Sequence, residues 1–160
     1  MDPKIFVSYS REDHAQVIPI VEKLRERGLN IWIDQEGIHG AKLWSQEIVQ
    51  AIESSKVFIL FASTKAFTSK NVTKELALAS ESDKHILPIF IEDAQIPTEM
   101  KYQLAGIQHL VQEKEQTVQT ADSILRTFGN LDIQSTETQP TPATPTATPA
   151  ATNPTSKIPL

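Results

Sequence analysis

The chain has no cysteine, so it offers neither disulfides nor thiolate metal ligands, and nothing ties it to an oxidising compartment. Long apolar runs are missing too. No stretch approaches the ~20 residues needed to span a bilayer, and Met1-Asp2-Pro3 leads directly into a strand pattern, without a basic segment followed by an apolar one. A cytoplasmic protein with no membrane contact is expected. Basic clusters are also absent: Lys and Arg number 15 against 20 Asp and Glu, a formal net charge of -5, with the cations isolated or in pairs. A nucleic-acid surface needs several concentrated cations to neutralise phosphates, so a small metabolite or another protein is the expected partner. His14, His39, His85 and His109 lack metal-ligand spacing, and no metal is expected. With no Gly-x-Gly-x-x-Gly after the first strand, no phosphate loop and no Gly-x-Ser-x-Gly elbow, the cradles of dinucleotide folds, triphosphate hydrolysis and serine hydrolysis are missing.

What is present suits one ordinary globular domain: 160 residues, 39% of them hydrophobic. The folded part is expected over residues 1–131. From 132 to 160 the chain is mostly Thr, Pro, Ala and Ser, with six of its ten prolines between Pro140 and Pro159. Such a segment buries too little apolar surface to offset the entropy of ordering, so it reads as disordered or polyproline-like. It is either a linker to a further domain or a solubilising tail.

Lys4–Tyr9 is a short apolar run expected to form a central strand covered on both faces. Asp13 with Gln16 forms a capping-box pattern, Val17, Val21 and Leu24 recur at helical spacing, and Gly28 supplies the stop. Pro19 interrupts this helix and predicts a kink or a later start. Leu29–Ile33 is a second strand. A long loop, Asp34–Ala41, then precedes a helix carrying Trp44, Ile48, Ala51 and Ile52 on one face. Lys56–Ala62 is the most apolar strand, and the loop Ser63–Lys70 runs into a helix containing Glu75. His85–Ile91 is a fourth strand, with Pro88 indicating an edge or bulge. A short helix from Ile96 to Leu104, a weaker strand over Ile107–Val111 and a closing helix over Val118–Phe128 complete the pattern.

Alternating strands and helices imply an α/β fold, a parallel sheet with helices on both faces. Ligands in such folds bind beyond the carboxyl ends of the strands, where strand order reverses. Three loops should meet there: Ser10–Asp13, Asp34–Ala41 and Ser63–Asn71. A receiver domain shares the layout but needs an aspartate where this chain has Ala62-Ser63. The remaining chemistry is a lone carboxylate in a cleft. Val72, Leu76 and Ala79 share one helical stripe, and Glu75 lies at its margin beside Lys74. Two readings stay open: a solvated carboxylate favoured near a helix N-terminus by the macrodipole, or one that faces the cleft. By pattern alone Arg11 is a surface arginine, His39 a loop histidine, Trp32 and Trp44 packing residues, and Asp13 a cap.

Ile5-Phe6-Val7-Ser8-Tyr9-Ser10, Ile31-Trp32-Ile33-Asp34 with Trp44, Val57-Phe58-Ile59-Leu60-Phe61-Ala62-Ser63, Ser69 to Leu76, and Leu87-Pro88-Ile89 follow one another in order. Together they resemble the successive boxes of a TIR (Toll/interleukin-1 receptor) domain over roughly Lys4 to Asn130, in particular a bacterial NAD-cleaving member. The resemblance implies a flavodoxin-like three-layer sandwich with a five-stranded parallel sheet. It also implies one of two activities. One is cleavage of NAD+ to nicotinamide and ADP-ribose or a cyclic ADP-ribose isomer, without a cofactor, in immune or defence signalling and activated by self-assembly. The other is non-catalytic adaptor association with other TIR domains. The family's catalytic glutamate, in a Ser-x-Trp-x-x-x-Glu pattern, falls on Glu75, with Ser69 matching the serine and Asn71 standing in place of the tryptophan. Its substrate contacts fall on Ser10, Arg11 and His39, and Trp44 would help hold the loop before its helix. Where many relatives have Pro-Pro-Gly, this chain has His39-Gly40-Ala41, which implies a looser turn.

Overall fold

The computed structural model describes residues 4–33, 46–112 and 116–130. His39, Trp44 and the segment from residue 131 onward lie outside them. Five strands, β1 (Lys4–Ser8), β2 (Asn30–Ile33), β3 (Ser55–Ala62), β4 (His85–Phe90) and β5 (Leu110–Val111), form one sheet in the order β2-β1-β3-β4-β5. Every pairing is parallel. This is the flavodoxin-like order. β3, the most apolar run, is therefore the central strand, and the expectation that the first strand is central is corrected. β1 lies instead between β2 and β3. The chain leaves it toward β2 and returns on its other side as β3, so the reversal of strand order falls beside β1 all the same.

The period-2 pattern sorts the strands between two cores. Ile5 and Val7 of β1 and Val57, Ile59 and Phe61 of β3 face one side, where α1 (His14–Glu26) packs through Val17, Ile20, Val21 and Leu24 and α6 (Thr117–Asn130) through Ala121, Ile124 and Phe128. Phe6, Phe58, Leu60 and Ala62 face the other side. There they meet α2 (Gln46–Ser54), α3 (Thr64–Thr68), α4 (Lys70–Glu81) and α5 (Thr98–Leu104). Phe6 pairs in register with Trp32 and Phe58. Its ring stacks on both, at centroid distances of 4.9 and 5.4 Å, so Trp32 is a packing residue.

Local signals were mostly honoured, with three physical exceptions. α1 starts at His14 and runs through Pro19 to Glu26; Pro19 is exposed, so water can reach the backbone carbonyl its ring leaves without a donor. Gly28 ends this segment with φ +87, a conformation that favours glycine. The stretch Ser63–Lys70 is not simply a loop: Ser63 caps the five-residue helix α3, its side chain accepting from the amide of Ala66. β5 is only two residues long, Leu110–Val111. It pairs with β4 at Ile89 and Phe90 alone, so the described ladder offers Pro88 no partner on that side. No helix among the described residues is long and apolar enough to cross a membrane.

Candidate functional site

At the carboxyl edge of the sheet a cleft of about 350 Å³ opens between the loop after β1 and the loop and helices after β3. A 3₁₀ turn, Arg11–Asp13, forms one wall. α3 and the first turns of α4 form the other, where Ser69 caps α4 by accepting from the amide of Val72 at 3.4 Å. Glu75 is the sixth residue of α4, three positions after Val72 and four before Ala79, so it turns inward with that stripe. It is 6% exposed and lines the cleft. Of the two readings the pattern left open, the solvated one is overturned.

A buried carboxylate needs donors, and one comes from across the interface between sheet and helix. Ser8, the last residue of β1, donates its hydroxyl to Glu75 Oε2 at 2.6 Å. Sequence reading missed Ser8 as a site residue. The signal was present in its parity: Ser8 shares the face of Phe6, against which α4 packs. What the sequence alone lacked was the placement of α4 over that face.

Ser10 and Arg11 also line the cleft. Ser10 is buried, and its carbonyl accepts the amide of Asp13 at 2.8 Å. Arg11 is exposed, and among the described residues no ion pair engages it. Ser69 and Asn71 line the α4 wall, Asn71 being exposed. Five of the seven expected site residues thus come together. His39 and Trp44 lie outside the described residues.

Asp13 is not the side-chain cap expected. No capping hydrogen bond is formed by its carboxylate; instead it accepts from the hydroxyl of Ser63 across 50 positions of sequence. Ser63 is itself 0% exposed and accepts the Ala66 amide at 2.9 Å. One hydroxyl thereby ties the loop after β1 to the start of α3. Nearby, Lys65 and Glu12, both lining the cleft, form an exposed ion pair at 3.2 Å, and the Thr64 amide donates to Glu92 Oε1 at 2.6 Å. The loops after β1, β3 and β4 are therefore linked at the edge where the cleft opens.

A larger groove of about 900 Å³ lies between α1 and the segments after β4 and around β5. Its ionisable residues, Glu92, Asp93 and His109, are all exposed. Of these two cavities among the described residues, the smaller combines a concave shape with a buried ionisable group, the combination that marks a site for chemistry. Among the described residues no group of three or more His, Cys, Asp or Glu side chains is placed to hold a metal.

Comparison with known proteins adds three kinds of finding. The family model described as "TIR domain" matches residues 5–125. The NAD(+) hydrolase tir-1 of Caenorhabditis elegans is 29% identical over 103 residues, covering 59% of this chain and 10% of that protein. The chain thus spans about a tenth of that relative's length. Among solved structures, the TIR domain of the Toll-related receptor TRR-2 from Hydra magnipapillata superposes with a TM-score of 0.62 at 22% identity, covering 81% of this chain and 96% of that one. The TIR domains of the activated Roq1 resistosome superpose with a TM-score of 0.60 at 16% identity, covering 79% and 99%. The CMP N-glycosidase BcmB of Clostridium botulinum gives 0.54 at 14% identity, covering 76% and 97%. At these identities the structural matches speak for the fold.

Proposed function

The chain belongs to the TIR domain family, and from that premise we propose that it cleaves the bond between nicotinamide and ribose in NAD+, with Glu75 as the catalytic residue. The observation that carries the reading is the burial of Glu75 on the wall of the cleft at the carboxyl edge of the sheet. The relative named as an NAD(+) hydrolase supports it.

One carboxylate suffices for this chemistry. The nicotinamide ring of NAD+ carries the positive charge, so the electron pair of the N-glycosidic bond leaves with the ring as neutral nicotinamide, and no general acid is needed. An ordinary glycoside, in contrast, requires a pair of carboxyl groups. The site must then stabilise the positive charge that develops on the ribose and grip its hydroxyls, which Glu75 can do from a water-poor wall. Water capture, with loss of its proton, yields ADP-ribose; capture by an adenine nitrogen yields a cyclic ADP-ribose isomer. Ser10 and Arg11 would bind the substrate from the facing wall, Arg11 as a cation for the diphosphate, while Ser69 shapes the start of α4 and Asn71 its outer surface. The cleft is near the lower limit of small-molecule sites, which suits the nicotinamide-ribose half. The loop around His39, with Trp44, from the same or a neighbouring TIR domain would complete it, so assembly would raise activity. The output would serve immune or defence signalling.

The test is nicotinamide release from NAD+ by the purified chain, in dilute solution and clustered on beads. Release that rises with clustering and falls at least ~100-fold in Glu75→Ala is expected for loss of a group that stabilises the transition state. Equal release by Glu75→Ala, or none by the clustered protein, sinks the enzymatic reading and leaves a non-catalytic TIR-TIR adaptor.

A further inference from the structure

Ser8 is 1% exposed at the end of a strand, directly after the buried apolar residues Ile5, Phe6 and Val7. A hydroxyl in such a position needs a partner, and its partner lies 67 residues away in sequence: Glu75, at 2.6 Å. We propose that Ser8 is the positioning residue for Glu75, fixing the carboxylate in its charged form and in the orientation the reaction uses. This rests on the reading of Glu75 given above.

Three features carry it. First, Ser8 sits on an interior strand: β1 is hydrogen-bonded between β2 and the central strand, with Ser8 in register with Leu60. The position of its Oγ is therefore set by the sheet and does not depend on a loop. Second, the bond engages one oxygen, Oε2, and so restrains the terminal torsion of the glutamate, which is otherwise broad. Third, a hydroxyl that donates to a carboxylate favours its ionised form, opposing the effect of burial, which favours the neutral one. An alanine here would preserve the strand but lose both effects.

The other ionisable groups bordering the cleft are Tyr9, Arg11 and Glu12 from the segment after β1 and Lys65 from α3; on the same helix Lys74 adjoins Glu75 in sequence. None of them changes in Ser8→Ala, so a shift in the titration of Glu75 reports the missing hydroxyl. In the full chain, Ser8→Ala is expected to lower kcat for NAD+ ~10-fold or more with KM within about twofold, as for an interaction that orients the reacting group rather than binding substrate. The acid limb of the pH profile should move to higher pH. Carbon-detected NMR of the glutamate carboxyls, with Glu75→Gln identifying the signal, should show Glu75 titrating about half a pH unit or more higher than in the parent. Ser8→Cys, close in size and a weak donor, should fall between the two and guards against an alanine variant that does not fold. A folded Ser8→Ala or Ser8→Cys variant whose Glu75 titration is unchanged overturns the proposal. The NMR arm needs no turnover: a shifted titration in a protein that never releases nicotinamide upholds the coupling of Ser8 to Glu75 and removes the NAD-cleaving reading alone.

Discussion

A glutamate held away from water should cost stability, and Glu75→Gln measures that cost. The substitution keeps side-chain volume and leaves a carbonyl oxygen to accept the Ser8 hydroxyl at the position now 2.6 Å away. It trades a charge-assisted hydrogen bond, worth about 1.5–3 kcal/mol, for a neutral one worth about 1. Against that loss of roughly 0.5–2 kcal/mol stands relief from holding a charge at a site that is 6% exposed, where the desolvation penalty is several kcal/mol per ion. The balance favours the amide by about 1–2 kcal/mol, equivalent to roughly 3–8 °C in Tm for a domain of this size. Calorimetry of the full chain, parent against Glu75→Gln, at a pH where the carboxylate is ionised, reads this directly. Nicotinamide release measured alongside should be abolished while Tm rises. A fall in Tm of more than about 3 °C would mean that the carboxylate is part of the structural scaffold, and the argument that its burial marks a functional site would fail.

Two further outcomes test the scaffold. Ser63→Ala removes both the donor to buried Asp13 and the cap of α3, and should cost about 2–4 kcal/mol, seen as a lower urea midpoint with unchanged m-value; a loss under about 0.5 kcal/mol would show that the tie between the two loops is slack. Pro19→Ala returns an amide to the middle of α1 and should stabilise by about 1–2 kcal/mol, the relief of the helix interior less the lost restriction of the unfolded chain. Destabilisation in the same urea titration would count against a regular helix at that position.

The pattern of residues reached far into the fold because helices and strands are encoded by short periods. Val17, Val21 and Leu24 announce α1, the apolar runs announce β1, β3 and β4, and alternation along β1 and β3 assigns each side chain to one of two cores. The ordered boxes carried the family. Sequence also placed Ser10, Arg11, Ser69, Asn71 and Glu75 near one another, because all belong to segments that leave the carboxyl ends of β1 and β3.

Pairings between distant segments were beyond it. Asp13 has the sequence context of a cap, and it serves as an acceptor for Ser63 because the loops after β1 and β3 adjoin. The same holds for strand order: β1 reads as central by composition, yet centrality depends on which strands flank it, and that is a property of the whole sheet. For Glu75 the sequence supplied the residue and its place on the helix, leaving solvent and cleft as open alternatives. Tertiary structure chose between them by laying α4 across the face of β1 that carries Ser8. A carboxylate's environment is set by the atoms packed around it in space, and a donor to Glu75 lies 67 residues away.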